Sequence, residues 1–334
     1  MTSRILSVLR SGCQMRHCDS CWFNYRDPLG ILVSLLSYVH IGFASFCTLY
    51  CVIYSLYKFS PKGLTLMLIM IFFIVMVVWC GVKASFTEPG LVVDRRKVSE
   101  EVRKYYLEEC SYNYCEKCDC MKPARAHHCS RCNVCILKMD HHCPWINNCV
   151  GARNQKYFIL YLIYVHFGVV LASILGCGFI YEKRFEIYEN TDIVYFRDLY
   201  PLNEYLPSWI ANHIFLPFFD TDIVLDVLTI IEVFFSSIFA VFVLFLLFDQ
   251  IKAIRYDLTY VEYLKSYRVH TLENSFFDCL VSTMGEPPSW RWLFPIEGKY
   301  MTRILKKLSN EFICVEEDDL SSEEETSMEE KKNQ

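Results

Sequence analysis

The sequence predicts an all-α polytopic membrane protein: four transmembrane helices, with a cytosolic cysteine-rich domain between helices two and three. Three observations carry this. Of 334 residues, 53% are apolar and only 21% charged, and the mean hydropathy is +0.22. The apolar excess is gathered into long runs, which excludes a purely soluble fold and excludes disorder for most of the chain. Lys and Arg crowd into some of the segments between those runs and avoid others. Nine of the 18 cysteines fall between Cys110 and Cys149, interleaved with four histidines. That pattern points to metal ligation in a reducing compartment rather than to disulfides.

A spanning helix needs about 20 apolar residues with few charges. Leu29–Tyr57 contains no Asp, Glu, Lys or Arg and ends at Lys58. It is too long for a signal peptide, and no small-residue cleavage site closes it. A tight Ser60-Pro61-Lys62-Gly63 turn leads into Leu64–Val82, so residues 29–82 hold the first two helices. The third run is Tyr157–Tyr181, and the fourth extends from about Ile223 to Phe248, giving a helix over 223–250. Asp226 and Glu232 interrupt the fourth span, and both are expected near its lumenal end, where charge reaches the interface. His40 and His166 stand alone in spans one and three, and each reads as a buried histidine making one interhelical hydrogen bond. The chain shows no internal repeat, Gly-rich phosphate loop or Gly-x-Ser-x-Gly elbow.

Orientation follows from the basic residues between spans. Residues 1–28 carry 4 Lys plus Arg, the 58–63 turn 2, residues 83–156 carry 13, residues 182–222 carry 3 against eight acids, and residues 251–334 carry 11. The N-terminus (1–28), the cysteine-rich domain (83–156) and the C-terminal region (251–315) therefore belong in the cytosol. The short turn and the 182–222 loop are lumenal. The net charge of −5 hides a local excess, because nine acids lie in residues 316–330. That 316–334 tail is too charged to pack and is expected to be disordered. Residues 1–315 balance 31 bases against 29 acids, so no basic field calls for nucleic acid as a partner. Arg95–Glu109 reads as a polar helix leading into the cysteine-rich domain.

Between spans two and three the chain reads Tyr114-Cys115-Glu116-Lys117-Cys118, then Lys122-Pro123-Ala124-Arg125-Ala126-His127-His128-Cys129. Cys132 and Cys135 follow, then Lys138-Met139-Asp140-His141-His142-Cys143-Pro144-Trp145 and Asn147-Asn148-Cys149-Val150-Gly151. A two-residue spacer lets both thiolates of a Cys-x-x-Cys turn converge on one tetrahedral zinc. Three such pairs occur, at 115/118, 129/132 and 132/135, with histidines downstream, which predicts two structural zincs. Counting does not assign the ligands: eight positions face eight cysteines and four histidines between Cys115 and Cys149. The surplus leaves a free Cys beside His and Asp, the makings of an activated nucleophile. Only at Asp140-His141-His142-Cys143 are all three residue types contiguous.

The stretch from Cys115 to Gly151 resembles the cysteine-rich domain of the DHHC protein S-acyltransferases, or palmitoyltransferases. The shared elements are His127-His128-Cys129, Asp140-His141-His142-Cys143-Pro144-Trp145 and Asn147-Asn148-Cys149-Val150-Gly151. Thr87-Glu88-Pro89-Gly90 resembles the family's Asp-Pro-Gly element with Glu for Asp. Thr259-Tyr260-Val261-Glu262 resembles its Thr-Thr-x-Glu element with Tyr260 for the second threonine, which removes a hydroxyl that would reach the catalytic site. The resemblance implies one zinc on Cys115, Cys118, His128 and Cys135 and a second on Cys129, Cys132, His142 and Cys149. It leaves Asp140, His141 and Cys143 as the catalytic group, with Cys110, Cys120 and His127 spare. It implies that Cys143 attacks a fatty acyl-CoA, the palmitoyl thioester above all, with His141 as base and Asp140 orienting it. The acyl group then passes to client proteins with membrane-proximal cysteines, while the acyl chain meets membrane lipid. Lys122 and Arg125, with Lys138 next, are the expected partners of the CoA phosphates, against an ordinary positive-inside reading. Gly168 reads either as room at the deep end of a lipid cavity or as close helix packing.

Two further segments carry readings of their own. Cys13, His17, Cys18 and Cys21 read as a third zinc site, as acylated juxtamembrane cysteines or as unmodified thiols. Lys331-Lys332-Asn333-Gln334 resembles the dilysine retrieval signal of endoplasmic reticulum membrane proteins, which sets the expected address there, with the Golgi as the alternative. The competing function class is a membrane-anchored RING-like scaffold, whose ligand spacing includes a long central loop absent here. A channel is disfavoured because three of the four spans contain no Asp, Glu, Lys or Arg.

Overall fold

The computed structural model describes residues 22–92, 113–122, 125–189, 221–265, 275–285 and 288–296. The readings placed on Cys13, His17, Cys18, Cys21, Cys110, Arg95–Glu109, most of the 182–222 loop, the acidic tail and Lys331-Lys332 lie outside the described residues.

Four helices are long and apolar enough to cross a membrane: Pro28–Tyr57, Pro61–Phe86, Gln155–Glu182 and Val224–Arg255. The chain is a multi-pass membrane protein. Helix α1 (Pro28–Phe46) runs on through a π-helical stretch, Cys47–Tyr54, and a last turn, Ser55–Tyr57. Helix α2 is Pro61–Phe86, α3 is Gln155–Glu189 and α4 is Thr221–Arg255. The helices outrun the apolar stretches because their ends use polar residues. Pro61 opens α2 with a backbone angle already suited to the first turn. Lys83 sits in the last turn of α2, and Lys252 and Arg255 in that of α4, where basic groups complement the helix dipole.

The described residues fall into two compact units. One comprises Leu35–Trp79 and Tyr161–Phe248, within the membrane helices. Its interior holds Ile53, Met70 and Ala172, with Leu49, Leu66 and Leu175 packed around them. His166 lies 3.2 Å through Nδ1 from the carbonyl of Ala240, the interhelical bond expected of it. His40 instead stacks its ring on Phe239, with centroids 5.1 Å apart. The close approach of α3 and α4 occurs at Gly176, where a Cβ would collide with Val233. At Gly168 a Cβ would make only ordinary contact with Phe73. Glu232 departs from expectation. It is 1% exposed, and it accepts a hydrogen bond from the Ser236 hydroxyl one turn along its own helix. A charge count along a span cannot tell which helix face a carboxyl occupies, and here the face is inward.

The other unit comprises Met1–Ser34, Cys80–Leu160 and Asp249–Gln334, and it corrects the all-α expectation. The described residues of the cysteine-rich domain contain six short strands: β1 (Asn113–Cys115), β2 (Cys120–Lys122), β3 (Ala126–Cys129), β4 (Val134–Leu137), β5 (His141–Cys143) and β6 (Asn148–Val150). They pair as three antiparallel hairpins, β1–β2, β3–β4 and β5–β6. Strands of three or four residues are too short for an alternating hydrophobic pattern to declare itself, so the sequence shows the cysteines but not the strands beneath them. The hairpin turns use Asp119 (φ 51), Asn133 (φ 54) and Asn147 (φ 48), residue types that tolerate the left-handed conformation.

Two polar fastenings hold this unit together. Gly90 adopts φ +111, which glycine enters without penalty, and its carbonyl accepts from the Leu137 N–H at 2.7 Å, seating the Thr87–Gly90 element on β4. Asn148 Nδ2 reaches the carbonyls of Ala84, Ser85 and Thr87 at 3.0, 3.1 and 2.9 Å. These are among the carbonyls that a helix end leaves without an intrahelical partner. Beyond α4, helix α5 (Tyr260–Leu264) is started by a reciprocal cap between Thr259 and Glu262. Helix α6 (Phe276–Met284) is started likewise by Ser275 and Asp278.

Candidate active site and metal clusters

Hairpin register decides which side chains meet. In β3–β4, His128 lies directly opposite Cys135. In β5–β6, His142 lies directly opposite Cys149. Successive side chains of a strand point to opposite faces. His142 therefore faces one way with Cys149, while His141 and Cys143, two residues apart, share the other face of β5. A dipeptide of identical residues thus serves two environments.

The described residues contain two groups of ligand atoms lying within 4.8 Å of one another: Cys115, Cys118, His128 and Cys135, and Cys129, Cys132, His142 and Cys149. These are the eight residues named by resemblance. In the first cluster, His128 Nδ1 lies 3.2, 3.6 and 4.0 Å from the sulfurs of Cys118, Cys115 and Cys135. In the second, His142 Nδ1 lies 3.4, 3.6 and 3.8 Å from those of Cys132, Cys149 and Cys129. A tetrahedral zinc with bonds of about 2.3 Å to sulfur and 2.0 Å to nitrogen would place neighbouring donors about 3.5–3.8 Å apart. Three sulfurs and one imidazole nitrogen at these separations fit a tetrahedral metal ion. The apolar core here is small and largely sulfur, with Ile136 and Met139 beside Cys129, Cys132 and Cys149. Cys120, the spare cysteine opposite Cys115 in β1–β2, packs with Cys115 and Cys135.

Asp140, immediately before β5, is buried and takes three hydrogen bonds from three elements. His141 Nδ1 lies 2.8 Å from Oδ2, Gln250 Nε2 of α4 donates to the same oxygen at 2.8 Å, and the Tyr260 backbone N–H donates to Oδ1 at 2.7 Å. With Nδ1–H committed to the carboxylate, His141 Nε2 is the nitrogen left for chemistry. Burial opposes the His141 imidazolium, but hydrogen bonds and charge from Asp140 and Cys143 outweigh it and push its pKa up to about 10. The Asp140 carboxyl is likewise disfavoured by burial, yet its bonds to His141, Tyr260 and Gln250 hold it below the usual aspartate range. Phe158 closes the far side of the His141 ring, edge to face at 5.3 Å. Cys143 is buried.

At position 260 it is the backbone N–H, which any residue but proline supplies, that donates to Asp140. Gln250 went unnoticed in the sequence, because it is a lone amide near a span's end and belongs to no spacing pattern.

The bases expected to meet phosphate are placed differently. Arg125 is engaged at all three nitrogens: Nε with Glu262 at 2.8 Å, Nη1 with Asp257 at 2.9 Å, and Nη2 with the Asp257 carbonyl at 2.7 Å and Glu262 at 3.0 Å. A phosphate contact from Arg125 would require those bonds to be exchanged. Lys138 lies 3.3 Å from Asp257, and Lys122 is half-buried at the end of β2. Lys265 Nζ approaches His127 Nδ1 at 3.3 Å. Burial, then the positive charges of Lys265, Lys122 and Arg125, hold His127 below its ordinary pKa despite the opposing charge of Glu262.

Residues 108–267 match the model of the DHHC palmitoyltransferase family. Residues 108–267 are therefore a DHHC palmitoyltransferase domain. It is 29% identical over 300 residues to palmitoyltransferase ZDHHC7 of Mus musculus, covering 89% of this chain and 88% of that one. It is 29% identical over 278 residues to palmitoyltransferase ZDHHC3 of Homo sapiens, covering 82% and 83%. A shorter match, 42% identical over 112 residues, relates it to probable protein S-acyltransferase 12 of Arabidopsis thaliana, across 31% of this chain and 38% of the relative. The DHHC match thus covers the hairpins, α3 and α4, and α5 with its cap, and with them the residues that meet at Asp140.

Proposed function

We propose that this chain is a protein S-acyltransferase that carries a fatty acyl group, palmitoyl in the first place, from acyl-CoA through Cys143 to cysteine thiols of client proteins. The observation that carries this reading is the single face of β5 that presents His141 and Cys143, with His141 held from behind by Asp140. His141 holds the proton of Cys143, so that the sulfur attacks the thioester carbonyl as the thiolate. The Cys143 S–C bond forms, the CoA S–C bond breaks, and the proton follows to the departing CoA sulfur. A client thiol then attacks the acyl-Cys143 carbonyl, gives its proton to His141, and returns Cys143 to its starting state. Asp140 holds the His141 tautomer and supports its positive charge through both transfers.

Both metal clusters are assigned to zinc, held by Cys115, Cys118, His128 and Cys135 and by Cys129, Cys132, His142 and Cys149. Zinc there supplies folding energy and fixed ligand geometry, with no share in the proton transfers. The CoA phosphates are assigned to the basic residues Lys122 and Arg125, with Lys138 next. The charge pattern supports placing the N-terminal and C-terminal segments in the cytosol. A glycosylation acceptor inserted within residues 190–215 should be used, and one placed after residue 300 should not.

The decisive test is incubation with labelled palmitoyl-CoA, which should leave a hydroxylamine-sensitive label on the protein that a second thiol protein removes. A protein holding two zincs that takes up no thioester label overturns the reading.

A further inference from the structure

The second metal cluster is braced by a segment far away in sequence, the stretch of chain entering α1. Asp27 is 4% exposed, and its backbone carbonyl accepts the first helical bond of α1, from Ile31 at 3.0 Å. Its side-chain Oδ2 lies 3.0 Å from His142 Nε2, while Nδ1 of the same ring faces the three sulfurs. The imidazole is therefore pinned at both nitrogens. Asn24 is fully buried and donates Nδ2 to the Cys132 sulfur at 3.6 Å. Its carbonyl accepts from Asn147 Nδ2, in the turn of β5–β6, at 2.8 Å. Gly30 leaves the room these contacts need, since a Cβ there would press on the side chains of Asn147 and Asp27.

We propose that Asp27 and Asn24 are the outer shell of the second metal cluster, positioning residues that fix His142 and the Cys132 thiolate and thereby tie the catalytic hairpin to the first turn of α1. This rests on the zinc reading above. A ligating imidazole whose other N–H is given to a carboxylate is locked in one tautomer and one orientation and becomes a stronger ligand. An amide N–H to the sulfur offsets part of the charge that three thiolates bring together. Neither residue touches substrate.

The test uses the full-length zinc-loaded protein in detergent and follows release of its two zincs to a chromogenic chelator. Asp27→Ala should release one zinc about 10–100-fold faster and leave the other at the wild-type rate, since outer-shell losses cost metal affinity by that factor. Asp27→Asn should recover much of the loss, because its amide oxygen still accepts from Nε2. Arg131→Ala, whose guanidinium is exposed and 3.9 Å from Asp27, should release both at the wild-type rate. In cobalt-substituted protein, Asp27→Ala should shift the ligand-field bands of one site, and Asp27→Asn should return them toward wild type. Unchanged release in Asp27→Ala, equal acceleration of both metals, or an Asn variant no better than Ala would overturn the proposal. A wild-type protein holding fewer than two zincs overturns it together with the zinc reading. Two zincs without acyl-enzyme overturn the acyltransferase reading alone.

Discussion

The two metal clusters use the same donors, three cysteines and one histidine, yet they are embedded differently. The first joins β1–β2 to β3–β4 within Cys115–Cys135, a single short stretch of chain. Its His128 turns Nδ1 toward the sulfurs, and Nε2, though buried, meets no hydrogen-bond partner among the described residues. The second joins β3–β4 to β5–β6, and its His142 is met from outside by Asp27, 115 positions away. Donor chemistry is therefore not what distinguishes the clusters. The first is a local staple, while the second links the entry of α1, the cysteine-rich core and the strand that carries the nucleophile.

The largest expected effect separates the clusters at their ligands. His142→Ala should lose the second metal, fall in abundance and form no acyl-enzyme, because structural zinc contributes about 10–16 kcal/mol in small sites. Cys118→Ser should lose the first metal while the second stays bound. Metal per protein in both variants checks this, and loss of both metals in Cys118→Ser would erase the distinction between a local and a linking cluster.

Next come the residues on the opposite face of β5, which should change chemistry and leave metal alone. Cys143→Ser should fold, hold two metals and form no thioester. His141→Ala should hold two metals and acylate about 10²–10⁴-fold more slowly, the usual range for a general base. Single-turnover labelling beside metal analysis measures both quantities on one sample.

A smaller effect concerns the Arg125–Glu262 pair, which docks α5 against the stretch leading into β3. Glu262→Ala should destabilise the protein by about 1–3 kcal/mol, since it removes two hydrogen bonds from a largely buried guanidinium that keeps its pair with Asp257. Burial opposes the Glu262 carboxylate, but the bond and charge of Arg125 outweigh that and hold its pKa below the ordinary glutamate range. Such a group contributes stability above its unfolded pKa and loses it as pH falls through the folded one. Wild type should therefore lose stability in moderate acid more steeply than Glu262→Ala, as denaturant midpoints across pH 3–6 would show.

The smallest effect is a contrast at one position. Tyr260 is largely exposed, so Tyr260→Phe should change stability by no more than about 0.5 kcal/mol and leave acylation intact. Tyr260→Pro sits at the first position of α5, where proline is welcome, so it removes little besides the N–H given to Asp140. Acylation should slow while both metals stay bound. Equal rates for Pro and Phe would mean that Asp140 is held well enough by Gln250 and His141.

Much of this was legible in the sequence, for identifiable reasons. The spans declare themselves because water-soluble folds rarely carry about 20 apolar residues in a row. The ligands declare themselves because a two-residue spacer between cysteines is the spacing that brings two thiolates onto one metal. Glu232 was misread because burial depends on the helix face, which a run of residues does not display. Asp27, Asn24 and Gln250 were illegible because each is a single polar residue more than a hundred positions from its partner. The use of adjacent histidines for different purposes could be named from resemblance, but its cause, the two-residue alternation of β5, had to be seen in the hairpin.

That alternation makes β5 a reading frame. One residue inserted between His141 and His142 would shift the phase, turning His141 toward the metal face or His142 away from it. Because a strand's side chains alternate strictly, no small adjustment of torsion absorbs the shift. Two inserted residues would restore the phase but lengthen the strand against a partner whose end is fastened, through Asn148, to three carbonyls at the end of α2. The tetrapeptide from Asp140 to Cys143 is thus fixed in length as well as in letters, and a lost or gained codon there should be as damaging as loss of the cysteine itself.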